Sequence, residues 1–162
     1  MITTQNFAEG FRGNLEIIKL QTKELTQEDS LIQLPFRGNC LNWIVGHILA
    51  NRCNMLRVLG FEEILPGVNL VRYQRESDPI QDPGKGVLVL TELMNHLETT
   101  QLQLEKTLEK ETEESLQRLA SKSARPEWTI AYWLFFYYFH DCYHTGQTEI
   151  LRQAAGVDDK II

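Results

Sequence analysis

Cysteine is scarce in this 162-residue sequence: only Cys40, Cys53 and Cys142 occur. An odd number with no CxxC pair argues against a disulfide framework and a thiolate zinc finger. A reducing cytoplasm is the simplest compartment for such a chain. Long apolar runs are missing too. The most apolar stretch, IAYWLFFYYF at 130–139, is far shorter than the ~20 residues of a membrane-spanning helix. The opening MITTQNFAEGFRGN has no basic region followed by an apolar run, so no signal peptide is expected. Clustered positive charge is also absent. Lys and Arg are scattered singly and the net charge is -6, which argues against nucleic-acid binding. No internal repeat or low-complexity segment appears. The remainder is ordinary for a globular chain, 43% apolar and 23% charged, and the length suits one domain over 1–162.

What is present is helical periodicity. Phe7, Phe11, Leu15, Ile18 and Leu25 recur at three-to-four spacing. With Thr3 or Thr4 as cap they predict a first helix over 4–25. TQEDSLIQLPFRG then turns the chain at Pro35 and Gly38. A second helix is bounded by Asn39 as N-cap and Gly60 as stop. Residues 61–86, rich in Pro, Gly and charge, read as a long loop of the kind that often forms part of a site. Val71 is expected there in a short extended piece. Leu90, Leu93, Leu97, Leu104 and Leu108 mark a third helix, interrupted by polar Gln101. A charged connection with one short helical turn follows. The fourth helix is expected to start at Thr129, with Trp128 and Trp133 as a hydrophobic staple, and to end near Gly156. The fold class is therefore all-α, an up-down four-helix bundle.

The sequence FHDCYHTGQ, 139–147, sets His140 and His144 four apart, on one face of the fourth helix. At ~100° per residue, Trp133, Tyr137, Gln147 and Leu151 share that face, Cys142 lies opposite, and Asp141 is off to the side. Zinc proteases use the same spacing in HExxH, but two imidazoles alone hold a divalent ion weakly and need a third ligand. His47 sits in the apolar turn WIVGHIL, beside a Gly46 that permits close approach, and must find a partner. His96, flanked by Asn95 and Glu98, reads as a surface residue. On spacing alone, a hydrogen-bonded core His47 and an unconnected HxxxH pair are the commoner outcome.

The combination of NCLNWIVGHI with the downstream HDCYHTGQ resembles the DinB/YfiT-like superfamily of metalloenzymes. Order, helix placement and spacing match over nearly the whole chain. Asn39 and Trp43 fit an NxxxWxxGH start to helix two, and Gly146-Gln147 fits the GQ that follows the helix-four pair. The resemblance implies a bundle with metal ligands His47, His140 and His144. It implies one divalent ion with an open position, zinc by default and nickel or iron as alternatives. It further implies a small-molecule substrate, handled by transfer with a low-molecular-weight thiol cosubstrate or by hydrolysis. A non-catalytic metal- or small-molecule-binding bundle is the alternative. A plain interaction protein is the third reading.

Around such an ion, Gln147 would orient an imidazole or the bound water. Trp133, Tyr137 and Asn51 are candidate pocket walls, with Asn54 a turn further on. Arg72, Tyr73 and Arg75 in the long loop either meet an anionic substrate or are simply solvated. Helix four is apolar nearly all round. Leu134, Phe135, Tyr138 and Cys142 lie away from the histidines, so a homodimer is expected unless helix one or the 61–86 loop covers that side.

Overall fold

The computed structural model describes residues 3–161. Helix α1 spans Thr4–Thr22 and is capped by Thr3, whose Oγ1 accepts from the Asn6 N–H at 3.2 Å. It ends before the expected residue 25, because Lys23 turns to extended backbone and Glu24 adopts φ 67°. A short helix not expected from the sequence, α2 (Gln27–Ser30), follows behind the Thr26 cap. Helix α3 spans Leu41–Val58. Its N-cap is Cys40 rather than Asn39, and no side chain caps it. Gly60, at φ 101°, stops it as expected: its N–H donates to Arg57 O at 3.0 Å, and Phe61 N–H donates to Leu56 O at 3.1 Å.

Val71 opens a single 3-10 turn, Val71–Tyr73, instead of an extended piece. Helix α4 (Leu90–Leu108) buries the expected leucines. Gln101 does not interrupt it. It is fully buried and donates to Ala8 O at 3.2 Å and Glu105 Oε1 at 2.9 Å. The short turn in the charged connection is α5, Glu113–Leu116. Helix α6 (Ile130–Ala154) begins at Thr129, whose Oγ1 accepts from Tyr132 N–H at 3.2 Å.

The four long helices form the expected all-α bundle. α1 packs on α4 and α6, and α3 packs on the same two, so α1 and α3 face each other across a diagonal. Side-chain bonds fix the directions. Arg12 reaches Glu105 while Lys19 reaches Glu98, so α1 and α4 are antiparallel. Asn14 meets Cys142 and Gln21 O meets Arg152, so α1 and α6 are parallel. Asn42 reaches Leu88 and Arg52 reaches Gln101, so α4 runs parallel to α3. The path is thus up, down, down, up, not strict alternation, because residues 59–89 return along α3 before α4 begins.

One buried cluster ties all four helices. Arg52 on α3 pairs with Asp141 on α6 at 2.6 Å, donates to Phe11 O on α1 at 3.0 Å, and bonds Gln101 on α4. Both charged side chains are almost wholly buried. Removing one partner of such a pair typically costs about 3–5 kcal/mol, because the other charge is stranded. Asp141 follows His140 directly, so this pair also fixes the rotation of α6. Of the apolar side of α6 expected to be free, α1 covers Leu134, Tyr138 and Cys142 but leaves Phe135 52% exposed. Leu134 is buried, Tyr138 sits edge-on to Phe7 and Phe11 at 6.4 and 5.6 Å, and Cys142 lies against Asn14.

Candidate metal centre

The site begins at a glycine. A Cβ on Gly46 would lie 2.1 Å from the Tyr73 ring, so only glycine lets that ring seat on α3. Tyr73 is fully buried. Its hydroxyl donates to Asn42 Oδ1 at 3.1 Å and accepts from Leu88 N–H at 2.7 Å. Ser77 adds a second tether, accepting from Trp43 Nε1 at 2.9 Å and donating to Arg72 O at 2.8 Å. Thus pinned, the loop presents Tyr73 O to His47 Nδ1 at 2.6 Å. A carbonyl only accepts, so Nδ1 carries the proton and Nε2 of His47 bears a lone pair.

His144 is held the same way. Its Nδ1 donates to Gln147 Oε1 at 2.7 Å, one helical turn on, leaving Nε2 free. His140 Nε2 lies 3.1 Å from His47 Nε2. The ring centres of His47 are 5.0 Å from those of both His140 and His144, which are 4.4 Å apart. Each histidine offers a nitrogen within 4.8 Å of the others. Trp43 stacks on the outer face of His47 at 4.5 Å, and Asn51 Nδ2 approaches its Nε2 at 3.3 Å.

This arrangement fits a cation. With no cation, His140 must put its proton on Nε2 to face the His47 lone pair. Its Nδ1 is then a buried acceptor, and it has no partner. With the proton on Nδ1 instead, two lone pairs meet at 3.1 Å, a contact that a positive ion relieves. Burial holds all three imidazoles neutral. His140 is pushed down to about 3, by burial first and then by its histidine neighbours. His144 is pushed down to about 4, also mainly by burial, against the opposing bond to Gln147. His47 moves down for the same reason, opposed by its bond to Tyr73. Neutral imidazole is the form that ligates.

The histidines open into a cavity of about 750 Å³. Trp43, Asn51, Phe136, Tyr143 and Gln147 line it, Arg37 and Arg75 are its charged groups, and no Asp or Glu is among its described lining residues. Asn51 and Gln147 are therefore where the sequence pattern puts them. Trp133 and Tyr137 are not. They stack on each other at 5.4 Å and line a separate cavity of about 470 Å³ with Asn54 and Arg57. Height explains Trp133, which lies ~10 Å along the axis from His140. Tyr137 is only one turn away but sits near ~60° on the wheel, on the other side of the histidines from cavity-lining Phe136 near about -40°. His96 is exposed to an intermediate degree on α4 and outside the cluster. Asp141 is committed to Arg52, and Arg75 is solvent-exposed beside Glu76. The residue that spacing did not single out as a ligand support is Tyr73, since a backbone carbonyl carries no signature in side-chain pattern.

The family model described as DinB superfamily matches residues 19–148, a span containing all three histidines and Gln147. No curated protein matches the chain.

Proposed function

The chain belongs to the DinB superfamily, and on that footing we propose that it is an enzyme dependent on one divalent metal ion, with His47, His140 and His144 as ligands. The observation that carries this reading is the convergence of imidazole nitrogens whose protons are committed elsewhere, to Tyr73 O and Gln147 Oε1. Zinc suits three neutral imidazoles, and nickel or iron accept the same donors. When bound, the ion supplies Lewis acidity at an open position and so favours ionisation of a thiol or a water there.

The chain's own groups bind and orient. Tyr73 O and Gln147 hold the His47 and His144 rings in register. Trp43 shields one face of His47 from water. Arg37 and Arg75 at the cavity wall favour an anionic small molecule. Among the described residues no carboxylate lines the histidine cavity to serve as general base. This favours transfer with a low-molecular-weight thiol over hydrolysis, since a thiol ionises more readily than water. The same lack of a base supports a second reading, a non-catalytic metal- or small-molecule-binding bundle.

We take residues 1–162 as one domain working in the cytoplasm, where Cys40, Cys53 and Cys142, all unpaired, stay reduced. Among the described residues no helix is long and apolar enough to cross a membrane. With its net charge of -6 and scattered cations, the chain is not expected to bind nucleic acid. We also take it to work as a homodimer, because α1 leaves Phe135 and other apolar residues of α6, Phe139 among them, exposed. The test of activity is a panel of thiols with electrophilic model substrates, and of esters and amides, run with zinc-loaded protein and with His144→Ala. Turnover with a thiol that His144→Ala abolishes supports the enzyme. Identical background rates for both proteins, with esters and amides untouched, establish the binding module instead.

A further inference from the structure

Helix α6 carries an apolar face that nothing among the described residues covers. Tyr132, Phe135, Phe136, Phe139, Tyr143 and Ile150 are each between 38% and 64% exposed. With His140 at zero on the helical wheel, they occupy an arc from about -140° to -40°. The charged residues between Trp128 and Ala154 are Asp141, Glu149 and Arg152, and all fall outside that arc. At roughly 200 Å² per aromatic side chain, the exposed fractions leave on the order of 600 Å² open. That equals the largest apolar patches of ordinary monomers, ~300–600 Å², and is most of the ~800 Å² each partner gives to a standard interface.

The pattern points to a second copy. Positions 132, 136, 139, 143, 146 and 150 alternate steps of four and three, the spacing by which one helix packs lengthwise on another. Gly146 holds one place in that row, and a Cβ there would meet nothing within 4 Å. Its bare backbone therefore serves no packing inside the chain and leaves room for a close approach from outside. A face without charge has no code for an unlike partner, but it complements itself across a twofold axis. A membrane surface fits poorly, because interfacial helices flank their apolar face with Lys and Arg. Here the flanks are built into the bundle and the chain is acidic.

Phe136, Tyr143 and Ile150 belong both to this stripe and to the wall of the histidine cavity. We propose that a second copy of the chain packs α6 against α6 along the stripe, and that the pair narrows the mouth of the histidine cavity with side chains from both copies. The proposal rests on the homodimer reading above and gives it a face and a consequence.

Phe139 tests it, being 64% exposed and outside the cavity wall. Light scattering at micromolar concentration should give twice the chain mass for the wild type and the single mass for Phe139→Glu, with equal helicity by circular dichroism. Diethylpyrocarbonate should modify His144 severalfold faster in zinc-free Phe139→Glu than in the zinc-free wild type, read by mass spectrometry. A wild-type monomer, or a dimer that survives Phe139→Glu, overturns the interface. Equal modification rates in the two proteins overturn the narrowing of the cavity. Neither readout needs a bound ion, so failure of the metal reading would appear separately, as wild-type protein that takes up no zinc.

Discussion

The carbonyl oxygen of Tyr73 lies 2.6 Å from Nδ1 of His47, and this single bond joins the long 59–89 connection to the candidate metal centre. It decides which nitrogen of His47 faces the other two histidines. A residue with no titrating role in the site thereby sets the chemistry of one that has it.

Gly46→Ala tests that relationship. The added Cβ would overlap the ring of fully buried Tyr73, with contacts of 2.1–2.5 Å, so the ring must leave its seat on α3. Overpacking of this kind costs about 1–3 kcal/mol. Losing an outer-shell partner costs roughly 10–100-fold in metal affinity. Denaturant melts of the metal-free protein and a zinc titration should both show the defect. Unchanged zinc affinity in a destabilised variant would detach Tyr73 from the site.

Gln147→Leu separates the site from the fold. Gln147 is only half-buried, and its one role on α6 is to accept from His144 at 2.7 Å. The substitution should lower zinc affinity by about 10–100-fold and leave the melting temperature of the metal-free protein nearly unchanged. A large fall in that temperature would instead make Gln147 a packing residue.

The positions in and around the site show how far sequence could go. His140, His144 and Gln147 were legible because a helix puts residues three and four apart on one face, whatever surrounds it. His47 was legible as a buried polar group needing a partner, and as a ligand only through its resemblance to a family motif. Tyr73 was not, since its contribution is backbone and depends on a loop folding back along α3. Trp133 shared the correct face but lies too far along the axis, and Tyr137 lies on the side of the histidines turned away from the cavity. Asp141 looked peripheral to the ligands and is, yet its pairing with Arg52 joins residues far apart in the chain, which no local pattern encodes. The same is true of the helix directions, set by the course of residues 59–89.

The pH dependence follows from burial. His140 and His144 sit at about 3 and about 4, below the ordinary histidine value of ~6.5 they regain on unfolding. The folded metal-free protein therefore binds fewer protons than the unfolded chain at mildly acid pH. Their neutral burial is tolerated in full above ~6.5, and stability drains away as pH falls from there through the folded values. Metal-free melting temperature should fall below pH ~6.5, and the His140→Asn, His144→Asn double variant should flatten that slope. Zinc affinity should fall less steeply below neutrality than that of a solvent-exposed histidine pair. An affinity that drops as steeply as that of such a pair would mean that the imidazoles are not buried as described.

The most direct measurement is the metal content of the purified protein after zinc loading and exhaustive dialysis, by elemental mass spectrometry. The wild type and His96→Ala should each retain one ion per chain. His47→Ala, His140→Ala and His144→Ala should each retain only a small fraction of it, while circular dichroism still reports a folded bundle. Full occupancy in His47→Ala would remove α3 from the site and contradict the three-histidine centre.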